Sequence, residues 1–129
     1  MQRFKFFNQG DEMTQHTTGE WWVTENGNVR DSGGLICQML KAQHYPGQDE
    51  RYASEVLERQ ANARLIAAAP MLLEALQKLN MAYVRLLESG RDRIIELGGD
   101  CDTVERMEAG ELTLKESRAA IAAATGEQA

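Results

Sequence analysis

The chain has 129 residues, 43% of them hydrophobic and 26% charged, which are the proportions of an ordinary globular domain able to build a core without disulfides or metal. Cys37 and Cys101 are too few for a disulfide framework, no apolar run reaches the length of a membrane span, and MQRFKFFNQGDEM has too short an apolar core for a signal peptide; a cytoplasmic protein is expected. The net charge of −6 is uneven, with 5 Lys/Arg against 10 Asp/Glu in residues 88–129, and such a surface repels phosphate backbones and disfavours direct nucleic-acid contact.

In chain order, Gln2–Phe7 puts Phe4 and Phe6 on one face and suggests a short strand. Residues 8–19 are polar and aperiodic, hence a loop. EWWVTE then reads as a strand, and Asn26-Gly27 tolerates the positive φ of a tight hairpin turn. Val29–Asp31 returns, Ser32-Gly33-Gly34 turns again, and Leu35–Leu40 forms a third strand, so an antiparallel meander is expected, with Gln2–Phe7 as a fourth strand. Alternation sends Trp21 and Trp22 to opposite sides. Either both are buried between sheet, helix and N-terminal segment, which is the simpler reading, or one packs inward while the other serves as a binding anchor, and the pattern leaves open which.

Lys41–Gln48 is a linker. Asp49 offers a helix N-cap, and Tyr52, Val56, Ala63 and Ile66 can face inward. Pro70 lacks an N–H and its ring crowds the carbonyl four residues earlier, at a cost of about 3 kcal/mol in a helix interior, so a break near Ala69 is expected, with a new helix from Pro70 to about Leu97. Asn62 and Arg64, just before the break, would satisfy the carbonyls it opens. Leu72, Leu76, Leu79, Tyr83 and Leu86 advance by four and three residues and line one face, expected to be mostly core, with its C-terminal part shared with a second copy. Gly98-Gly99 ends the helix. Two capping-box spacings, Asp102–Glu105 and Thr113–Glu116, start a short helix at Thr103 and a last one from Leu114 to about Ala124, closed by Gly126. The whole is an α+β fold: one domain, with a small antiparallel β-meander in a β-rich head (1–47), followed by a helical hairpin or bundle with one long helix (48–126).

The segment QANARLIAAAPMLLEALQKL resembles the ANARLIAAAPELLEAL motif of small uncharacterised accessory proteins of tailed phages and prophages, with Met71 where that pattern has an acid. SGRDRIIELGGDCDTVERMEAGELTL and SRAAIAAATG resemble further segments of the group, and the likeness covers roughly residues 20–126. The resemblance implies a protein that binds a host or phage protein, for instance to blunt a host defence; it transfers no catalytic residue.

No phosphate-cradling glycine loop, nucleophile elbow, HExxH or CxxC motif occurs, so neither an enzyme nor a cofactor or metal site is expected. Asp100, Asp102 and Glu105 lack the spacing of a calcium loop. A homo-oligomer, a two-fold dimer through the long helix, is expected from the length of the apolar stripe. The alternative is a nucleotide-binding or sequestering module, in which Trp21 or Trp22 stacks on a base and Arg64 or Arg91 reaches phosphate, with Asn62 beside them.

Overall fold

The computed structural model describes residues 15–127. The strand expected at Gln2–Phe7 lies outside the described residues. The chain forms two compact units, Thr17–Leu72 and one that takes in Leu73–Ala129, whose border falls inside a helix.

The first unit opens with the meander: β1 (Trp22–Val23), β2 (Val29–Asp31) and β3 (Gly34–Cys37), antiparallel in the order β1-β2-β3. Gly27 N–H donates to the Thr24 carbonyl at 2.9 Å and Thr24 N–H to the Asn28 carbonyl at 2.8 Å. Only Gly27 of the Asn26-Gly27 pair has a positive φ, 77°, so the connection is a turn closed by a left-handed glycine and not the two-residue turn in which both positions are left-handed. At the second turn the Asp31 carboxylate accepts from Gly33 N–H at 2.9 Å, an Asx turn that bends the chain back. β3 is shorter than the expected Leu35–Leu40, because Met39 N–H donates to the Asn28 side chain at 3.0 Å.

Helix α1 runs unbroken from Asp49 to Glu96 with Pro70 inside it, which corrects the expected break. Proline removes one N–H, so one carbonyl, that of Ile66, loses its helical partner, while regular helix on both sides keeps its own bonds; that length carries a local cost of about 3 kcal/mol. Asp49 is the first helical residue and not the cap: the Gln48 carbonyl accepts from Tyr52 N–H at 3.0 Å, and the Asp49 carboxylate meets His44 Nε2 at 2.5 Å.

In the second unit α1 ends as the glycine pair requires. Gly99 N–H bonds the Ile94 carbonyl and Gly98 N–H the Ile95 carbonyl, both at 2.9 Å, with Gly98 left-handed at φ 79°. Helix α2 (Val104–Gly110) is capped by Thr103, whose hydroxyl accepts from Arg106 N–H. Helix α3 (Leu112–Thr125) starts two residues earlier than expected, at a Glu111 that makes no side-chain cap bond, and closes on left-handed Gly126. Arg118 of α3 pairs with Glu108 of α2 at 2.9 Å.

Complete burial is sparse. Among the described residues the apolar ones shut from solvent are Val29, Ala63 and Leu114. The face expected to be mostly core is open within the chain, with Leu72, Leu79, Tyr83 and Leu86 exposed by 50%, 66%, 38% and 68% and only Leu76 half-buried. Periodicity correctly groups these residues on one face, but among the described residues no element covers that face along its length. Among the described residues no helix is long and apolar enough to cross a membrane.

Candidate interaction surface

In the Thr17–Leu72 unit, strand register builds one row of side chains. Trp22 stands opposite Arg30, and Arg30 opposite Leu35, so the three share a face of the sheet. Their neighbours Val29 and Asp31, two residues apart on the strand, fall on the opposite face and are buried. Trp22 is 42% exposed and Leu35 60% exposed. The Arg30 guanidinium carbon sits 6.0 Å from the centre of the Trp22 ring, and Nε donates to the Asp31 carbonyl at 3.4 Å. Stacking holds the cation over the ring's electron-rich face at little cost in freedom, leaving its outer N–H groups able to take a carboxylate.

Trp21 has a different role. It is half-buried, and its indole N–H donates to the Thr17 carbonyl at 3.2 Å, anchoring the segment that leads into β1. Of the two tryptophans, Trp22 is therefore the accessible one. Asn62 and Arg64 are exposed on α1, and among the described residues neither bonds the carbonyls beside Pro70, which corrects the local role expected of them. Arg91 falls in the other unit, half-buried, 4.0 Å from Asp92, with its Nε unpartnered. The structure thus joins Trp22 to Arg30 and Leu35. Sequence reasoning missed Arg30 and Leu35; the signal was present, since two tight turns fix which residues of three short strands face each other.

The Leu73–Ala129 unit contains a cleft of about 260 Å³ where the start of α3 meets α1, lined on one side by Leu76, Leu79, Asn80 and Tyr83 and on the other by Glu111, Thr113, Leu114 and Ser117. Asn80 Oδ1 and Ser117 Oγ have no hydrogen-bond partner there. The lining is apolar with an acid at its edge, a poor setting for phosphate.

Comparison with known proteins gives one result. The family model for Salmonella phage P22 protein Y8K6 matches residues 12–128. No curated protein and no solved structure matches the chain.

Proposed function

Since the chain belongs to the family of Salmonella phage P22 protein Y8K6, we propose that it is a non-enzymatic phage accessory protein that acts by binding a host or phage protein through the sheet face. The observation that supports this reading is the Trp22–Arg30–Leu35 row, which presents an aromatic, a cation and an aliphatic side chain side by side and outward. Trp and Arg dominate the energetics of protein interfaces, because each combines a large rigid contact area with a directed polar group. Such a row fits a partner surface with an apolar hollow beside a carboxylate. Blunting a host defence is one use for a contact of this kind.

The nucleotide reading has less support. Arg64 is an exposed helix residue, and the cleft is lined by none of Trp21, Trp22, Arg64 and Arg91.

Affinity capture from phage-infected cells, with the parent chain and Trp22→Ala in parallel, tests the proposal. Trp22 is partly exposed, so the variant keeps its fold, and loss of an anchor of at least 2 kcal/mol weakens partner binding by roughly thirtyfold. A partner held equally by both chains would overturn the assignment, as would a small molecule, rather than a protein, that co-purifies with the parent in native mass spectrometry.

A further inference from the structure

Helix α1 carries a pattern finer than a general apolar face. Leu65, Leu72, Leu79 and Leu86 recur every seven residues, and Ala61, Ala68, Ala75 and Ala82 recur every seven between them. Together they advance by four and three residues through eight successive layers, strictly alternating alanine and leucine. A sustained seven-residue repeat is the pattern of a left-handed coiled coil. The leucines are 63%, 50%, 66% and 68% exposed, Ala61, Ala75 and Ala82 are exposed, and Ala68 is half-buried. Among the described residues no element buries this seam along its length, although Leu79 also lines the cleft beside α3.

We infer that the seam pairs antiparallel with the same seam of a second copy, about a two-fold axis passing between Leu72 and Ala75. The argument is one of size. When the eight layers are reversed about that midpoint, Leu72 meets Ala75 of the second copy, Ala68 meets Leu79, Leu65 meets Ala82 and Ala61 meets Leu86. Every layer then holds one leucine and one alanine, so the helix separation is uniform and each large side chain fills the space left by a small one. A parallel pair in register would instead alternate Leu–Leu with Ala–Ala layers, which demand different separations. It would also bring together two C-terminal segments that each hold 5 Lys/Arg against 10 Asp/Glu. The contact strip is about 38 Å long and about 12 Å wide, or some 450 Å² on each copy, at the small end of specific interfaces, and implies micromolar association.

The same register makes a prediction from charge. Flanking the seam, Arg64 lies beside Arg85 of the second copy, and the two-fold axis repeats the pair; both residues are exposed. These like charges oppose association, so the dimer tightens as salt screens them. Arg85→Glu converts both pairs to attraction. The inference is independent of the sheet-face partner, whose residues lie on other elements.

Sedimentation of the full chain up to about 100 µM tests the inference. The expected result is a reversible equilibrium between the mass of one chain and that of two, stronger at high salt. Leu72→Asp, at a half-exposed position, should raise the dissociation constant at least about tenfold with an unchanged circular dichroism spectrum, because two carboxylates enter the central layers. Arg85→Glu should lower it about threefold or more and reverse the salt dependence. The second variant alters surface charge alone, so it remains decisive if the first fails to fold. A mass of one chain throughout, a dimer indifferent to Leu72→Asp, or weakening by Arg85→Glu would each overturn the inference.

Discussion

Strand β2 has three residues and buries two of them, whereas α1 has 48 residues and buries one. The apolar content of the two does not explain the difference, since α1 is rich in leucine and alanine and β2 contains an aspartate. A middle strand has a neighbour on each edge, supplied by chain a few residues away through two tight turns. A helix needs a second packed element along its whole length, and α3, with 14 residues, is too short to provide one. Burial is set by what else packs against a surface, and among the described residues α1 outruns the elements beside it.

Matched truncations in β2 and α1 separate the two cases. Val29→Ala, at a position with 0% exposure, should cost about 2–3 kcal/mol by lost burial and a residual cavity. Leu86→Ala, at a position 68% exposed, should cost less than about 0.5 kcal/mol when measured below the concentration at which chains associate. Urea unfolding followed by probes in each unit reads both values. Equal costs at the two sites would mean that α1 is covered within its own chain.

Asp31 sharpens the same contrast with a smaller effect. It is 4% exposed, and its carboxylate holds the turn through Gly33 N–H, so Asp31→Ala should destabilise the sheet by about 1–2 kcal/mol while Asp31→Asn keeps most of that. Thermal unfolding measures the difference. Loss no greater than that of an exposed helix substitution would show that the turn holds without its side chain.

The smallest expected effect lies on α1 itself. The Lys78 ammonium hydrogen-bonds the Glu74 carboxylate at 2.5 Å, and that bond, reinforced by charge attraction, holds the Glu74 pKa below the usual carboxylate value of 4.5. A carboxylate with a lowered folded pKa contributes stability that is present above its unfolded pKa and is lost as pH falls through the folded one. Lys78→Met should therefore raise the Glu74 midpoint in an NMR titration, and any gap in stability between the chains at neutral pH should close in acid. Both side chains are exposed, so a large gap would contradict their being a solvated helix pair.

How legible these features are in the sequence follows from the range of the interactions that set them. EWWVTENGN states its own hairpin, since aromatic and β-branched residues and the turn glycine act within a few residues. Gly98-Gly99 and Gly126 are legible helix stops for the same reason, and Thr103 a legible start. Pro70 misleads, because the local penalty is real but is set against two long helical arms that a window around the proline does not weigh. The Leu72–Leu86 face is legible as a face and not as core, since periodicity records which residues stand together and not what covers them. At the sheet surface, Trp22 is legible by type, whereas Arg30 and Leu35 become neighbours of it only through strand register.

Whether a second copy covers the exposed seam of α1, as we infer, is decided by pulsed dipolar spectroscopy on two singly spin-labelled chains. One label replaces Glu74 near the proposed axis, the other Glu58 far from it, both at exposed positions, with Cys37 and Cys101 changed to serine. An antiparallel pair places the Glu74 labels within about 20 Å of each other and the Glu58 labels about 46 Å apart along the helix, twice the rise of 1.5 Å per residue from the midpoint. Short distances at both positions would show a parallel pair, and no dipolar coupling at either would show that the seam does not meet its own copy.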